Sequence, residues 1–145
     1  MDGKTDSSGN MLKSVLKSPE ELVKATGYSM RGFSAVLFGE KAFRTDIVVF
    51  ALCTAAAGAL RFFGLVSWCE TALLVYSVFM ALVGEIINTA IETTVDRIST
   101  EYNELSGRAK DIGSAIVFVS FLGAGIVWAV ILLGVGFGLW GGGAR

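Results

Sequence analysis

The sequence predicts an all-α integral membrane fold: three membrane-spanning helices preceded by an amphipathic helix on the membrane surface. Three observations carry that expectation. The 145 residues are 53% hydrophobic and contain one proline, too apolar for an ordinary soluble domain and too short for two domains. An uncharged run extends from Ile112 to Trp140, and as an unbroken helix it would be about 43 Å long, more than a hydrocarbon core of about 30 Å requires. Two further stretches, Ile47 to Val66 and Thr71 to Ile91, reach spanning length with one charge each, Arg61 and Glu85.

In chain order, residues 1–17 are expected to form a mobile tail. They are rich in charged and small polar residues and lack the apolar stretch of a cleavable signal. A single membrane-embedded domain is expected over 18–145. Ser18-Pro19-Glu20-Glu21 reads as a helix start, with serine as N-cap, proline at the first helical position and acids in the first turn. From there an apolar set including Leu22, Val23, Tyr28, Met30, Phe33 and Phe38 is flanked by Lys24, Arg31, Glu40, Lys41 and Arg44. It is too interrupted to span, so the surface helix is placed at about 18–44, broken or bent near Gly27 or Gly32.

The spans are expected at about 47–66, 71–91 and 112–135. The third is either tilted or frayed at Gly134-Val135-Gly136-Phe137-Gly138. Arg61 lies near a segment end, where its stem can lie on apolar surface and its guanidinium reach the headgroups. Glu85 is short and well inside its segment, where an ionised carboxylate is costly without a cavity, a cation or a polar partner. Ten of the twelve basic residues precede the first span or lie between the second and third. The N-terminus and the second loop are therefore expected in the cytoplasm and the C-terminus outside. Cys53 and Cys69 have no metal-ligand spacing, there is no histidine, and both cysteines read as packing residues.

The chemistry is concentrated in Gly84 to Arg97. Glu85, Asn88, Glu92 and Asp96 advance by helical spacings and share one face. Carboxylates stacked in this way repel unless protons or cations intervene. Oxygen ligands without histidine favour magnesium, which binds one or two carboxylates together with substrate phosphates. Arg108 and Lys110, at the base of the third span, suit phosphate or lipid headgroups alike. Phosphoryl transfer fits this combination, although spacing alone leaves a cation channel or carrier, or a structural membrane adaptor, open. The phosphate-binding loop of soluble nucleotide enzymes is absent from the sequence.

Several motifs in order resemble the prokaryotic diacylglycerol kinase family, which includes the undecaprenol kinases. They are Ala25-Thr26-Gly27-Tyr28-Ser29, Gly39-Glu40-Lys41-Ala42-Phe43-Arg44, Glu85 to Glu92, Val95-Asp96-Arg97-Ile98 and Arg108-Ala109-Lys110-Asp111. The segment Glu101 to Arg108 looks more like the diacylglycerol enzymes than the undecaprenol kinases.

The resemblance implies a homotrimer in the bacterial inner membrane, with active sites shared between subunits, transferring phosphate from ATP to diacylglycerol with magnesium. It implies Glu85 as general base and Glu40 and Glu92 as metal ligands. Tyr28, Glu101, Tyr102, Asn103, Lys110 and Asp111 fall on the nucleotide side, and Asn88 and Asp96 are further polar positions. The sequence departs from the family pattern at Glu21, where well-known members carry arginine, and at Asn103, where they carry histidine. Lys17 or Lys24 is the expected compensation.

Overall fold

The computed structural model describes residues 18–98, 101 and 103–138, all helix or short connection. The helices are α1 Pro19–Gly39, α2 Lys41–Phe62, α3 Trp68–Ile98 and α4 Glu104–Gly136. The expected tail and Tyr102 lie outside the described residues.

The start of α1 is the expected one. Ser18 Oγ accepts the Glu21 N–H at 3.2 Å and Glu21 Oε2 accepts the Ser18 N–H at 2.8 Å, a reciprocal cap that satisfies two otherwise unpaired donors. A break at Gly27 or Gly32 does not occur. Both glycines lie inside a continuous helix, and the hydroxyls of Thr26 and Ser29 bond to carbonyls four residues back without breaking it. The interruption falls instead at Glu40, whose backbone is extended at φ −104°, ψ 122°. The helix expected over 18–44 therefore ends at Gly39, a residue that gains little from helical confinement. The same point divides the chain into two compact units, Met1–Gly39 and Glu40–Arg145.

In the second unit α2, α3 and α4 are each long and apolar enough to cross a membrane. Their limits differ from the apolar windows because a helix runs to its caps, not to the edge of its hydropathy. The first span begins at Lys41 and stops at Phe62. There Gly64, at φ +70°, lets the Leu65 N–H reach the Leu60 carbonyl at 2.9 Å and its own N–H reach that of Arg61 at 3.0 Å. This left-handed stop is one that only glycine adopts at no steric cost. α3 starts on a second reciprocal cap, Ser67 with Glu70, and runs past Ile91 to Ile98. α4 includes Gly134 and Gly136 without fraying and ends over Phe137 and Gly138. Cys69 is exposed, not packed.

α3 packs against both α2 and α4. Its buried residues Leu74, Ser77, Val78, Ala81, Leu82, Gly84, Glu85 and Asn88 follow helical spacing. At one end Leu74 joins Ala57, Val66 and Ile131, with Trp128 against them. The Trp128 indole N–H donates to the Leu74 carbonyl at 3.2 Å. Phe50 and Phe79 meet edge-on between α2 and α3, with centroids 6.4 Å apart. Arg61 stands in the last turn of α2 with its guanidinium 4.7 Å over the Trp68 ring. Within lipid, helices gain little from apolar burial, so close packing and interhelical hydrogen bonds carry the association.

Trp128→Phe keeps most of the ring but removes the interhelical donor, and should lower stability by about 1 kcal/mol. Leu74→Ala, which empties a fully buried site, should cost about 2–5 kcal/mol. Thermal unfolding in detergent measures both, and the order of the two losses checks that packing outweighs the single hydrogen bond.

Candidate functional site

Because α3 lies between its neighbours, its polar face is graded along the helix. Glu85 and Asn88 are buried, Glu92 is half-buried and Asp96 is exposed. The carboxylates of Asp46, Glu92 and Glu40 all act electrostatically on Glu85, so four acids from α2, α3 and the residue before α2 share one field. Glu40 is the N-cap residue of α2, and its side chain makes no capping bond.

One turn on, Asn88 Nδ2 donates to Glu92 Oε1 at 3.2 Å. A carboxylate only accepts, so this bond fixes which way the amide faces. Asn88 Oδ1 then points away from Glu92, is buried and has no hydrogen-bond partner. It lies against α4 at Gly113, close enough that a Cβ there would stand 2.5 Å from it. A turn further, Lys110 Nζ of α4 meets Asp96 Oδ1 at 2.6 Å, with both side chains partly exposed. The amine expected to face phosphate is thus already matched to an acid.

Asn103 is the N-cap of α4. Its Oδ1 accepts the N–H groups of Leu105 and Ser106 at 2.9 and 3.3 Å, which leaves its amide nitrogen for any other contact. Glu101 lies in the connection before it and Asp111 is exposed on α4. Tyr28 belongs to the first unit, exposed, with the Arg31 guanidinium 4.8 Å over its ring.

Two residues escaped sequence reasoning. Asp46 sits at the mouth of an apolar run, where an acid passes for an ordinary flank. Gly113 was one of many glycines in apolar helices, and its significance depends on a neighbour that only the fold supplies. Among the described residues no group of three or more histidines, cysteines or acids is arranged to hold a metal.

The profile of the family described as "Prokaryotic diacylglycerol kinase" matches residues 27–132. The chain is 43% identical to the diacylglycerol kinase of Escherichia coli (strain K12) over 111 residues, 77% of this chain and 88% of that protein. It is 43% identical to the diacylglycerol kinase of Pseudomonas aeruginosa over 115 residues, 79% of this chain and 90% of that protein. To the diacylglycerol kinase of Helicobacter pylori (strain 26695) it is 32% identical over 117 residues, 81% and 88% of the two chains.

Asn103→Ala should cost about 0.5–2 kcal/mol through loss of the α4 cap, and Asn103→Asp should recover most of it. Thermal unfolding of the two variants checks this. Equal losses in both would show that the cap is not what the side chain contributes.

Proposed function

The chain belongs to the prokaryotic diacylglycerol kinase family, and from that premise we propose that it transfers the γ-phosphate of ATP to the hydroxyl of diacylglycerol, with Glu85 as the general base. The observation that supports this most directly is the buried Glu85 carboxylate in an apolar helix, next to the oriented Asn88–Glu92 pair. In the step, the lipid oxygen forms a bond to the γ-phosphorus as the bond to the β,γ-bridging oxygen breaks. The hydroxyl proton passes to Glu85, and ADP leaves. Such transfers have loose transition states, so holding the hydroxyl in line and matching phosphate charge are the dominant contributions.

Glu92, aimed by Asn88, and Glu40, whose carboxylate is not used as a cap, are the residues that would hold magnesium. The ion, when bound, would neutralise phosphate oxygens. Lys110 would exchange Asp96 for phosphate, an exchange favoured by the partial exposure of the pair. Tyr28, Glu101, Tyr102, Asn103 and Asp111 complete the nucleotide side in this reading. The same reading includes a surface placement of α1, a homotrimer sharing its sites between subunits, a cytoplasmic N-terminus and an external C-terminus in the bacterial inner membrane. The apolar residues exposed on α1, among them Leu22, Val23 and Phe38, support an interfacial position. The acyl chains of the substrate stay in lipid while its hydroxyl reaches Glu85.

Glu85→Gln should lower kcat by about 10²- to 10⁴-fold with nucleotide-analogue binding and assembly retained, since the amide keeps the shape but cannot take the proton. Single-turnover phosphate transfer to diacylglycerol in mixed micelles, with undecaprenol as competitor, tests both base and substrate. Retained turnover removes Glu85 as base, and a preference for undecaprenol reassigns the lipid.

Glu40→Gln and Glu92→Gln should each raise the magnesium concentration needed for half-maximal rate, because each replaces a charged oxygen ligand by a neutral one. Magnesium titration of the two variants reads this, and an unchanged requirement in both argues against metal ligation.

A further inference from the structure

Asn88 is the one buried amide of the polar face, and the two ends of its carboxamide are treated unequally. Its nitrogen faces Glu92 because a carboxylate can only accept, and its oxygen consequently presses on the backbone of α4 at Gly113. Nothing donates to that oxygen, although it is fully shielded. A buried carbonyl without a donor is unfavourable and would turn toward a partner if free to do so. Turning would break the bond to Glu92. The amide is therefore held in an arrangement that suits Glu92 rather than itself.

The slot that permits this is the missing side chain of Gly113. A Cβ there would stand 2.5 Å from Asn88 Oδ1, with Ile91 Cδ1 at an ordinary 3.5 Å. Gly84, another buried glycine at the approach of α3 to α4, offers a contrast. A Cβ on it would meet Ser120 Oγ at 2.9 Å, and that hydroxyl is bonded to the Ile116 carbonyl of its own helix, not to an acid. The two glycines make similarly close approaches, but only Gly113 abuts a group that orients one of the clustered carboxylates.

We propose that Gly113 is a positioning residue for the phosphoryl-transfer site: by having no side chain it holds the Asn88 carboxamide against α4 and so aims Glu92 at the divalent cation that accompanies the nucleotide. The inference rests on the reading of Glu92 as a cation ligand given above. A methyl group at 113 displaces the far end of a side chain rather than backbone. The amide can swing aside, so the helix pair survives while the hydrogen bond to Glu92 is lost. Groups that orient a metal ligand usually matter for affinity by about 10- to 100-fold.

The test uses the full chain in detergent and reads Mn²⁺ binding by electron paramagnetic resonance, with a non-hydrolysable ATP analogue present, beside the magnesium dependence of turnover and the thermal unfolding midpoint. Gly113→Ala should weaken Mn²⁺ binding about tenfold or more, raise the magnesium requirement by a similar factor and leave the midpoint close to that of the parent. Gly84→Ala should alter the midpoint and leave Mn²⁺ binding unchanged. Asn88→Ala should reproduce the loss, and adding Gly113→Ala to it should bring no further loss, because the clash has gone.

The proposal is overturned if Gly113→Ala binds Mn²⁺ as the parent does while Glu92→Gln does not, or if the Gly113→Ala loss persists undiminished on top of Asn88→Ala. Normal Mn²⁺ binding by Glu92→Gln itself would overturn the underlying reading, and the inference with it. If Gly113→Ala does not assemble, the double variant must restore assembly, and its failure to do so counts against the proposal.

Discussion

An acid inside an apolar helix is tolerable only where protein, not lipid, surrounds it, and Glu85 imposes that condition on everything near it. α3 cannot be peripheral, because the face carrying Glu85 and Asn88 must be covered, and it is the helix that packs against both α2 and α4. Coverage in turn demands close approach. Gly84 and Gly113 provide it along α3 and α4, and the Trp128 bond to the Leu74 carbonyl secures the opposite end. The apolar cluster around Leu74 and the polar cluster around Glu85 are two ends of one interface, the first holding the helices together and the second using the resulting shelter.

The grading of that face matters for the chemistry. Deep in the interface Glu85 stands among other acids, at the next turn Glu92 is oriented by an amide, and at the rim Asp96 is matched to Lys110. In the function proposed above, proton acceptance, cation binding and phosphate neutralisation call for different degrees of exposure, and the polar face of α3, with Lys110 of α4 at its rim, offers them in sequence. Asn103, by capping α4, fixes where Lys110 begins its turn and so ties the rim to the connection carrying Glu101.

Much of this was legible in the sequence. Three apolar segments, the helix start at Ser18 and the shared face of Glu85, Asn88, Glu92 and Asp96 follow from periodicity and capping chemistry, which are local. The limits of the helices were less legible, because hydropathy marks where lipid lies while capping marks where helix ends. Hence α2 stops at Phe62, ahead of the turn at Gly64, although apolar residues continue to Val66, and α3 continues past the last apolar turn. No break falls at Gly27 or Gly32 because a glycine weakens a helix without obliging it to break. Gly113 and Asp46 were beyond reach, since a contact across two helices leaves no trace in either one's spacing. Glu21 is half explained: it closes the reciprocal cap on Ser18, a use for the acid that sequence comparison alone presents as a departure.

The length of α3 gives the carboxylate a fixed altitude. From Trp68, under the Arg61 guanidinium at one end of the helix, Glu85 lies about 26 Å along the axis, just short of the roughly 30 Å of a hydrocarbon core. The helix is a stiff rod and the bilayer a soft sheet that thickens or thins with its lipids. In the function proposed above, the depth at which a lipid hydroxyl would meet Glu85 is therefore set jointly by a protein dimension that cannot change and a membrane dimension that can.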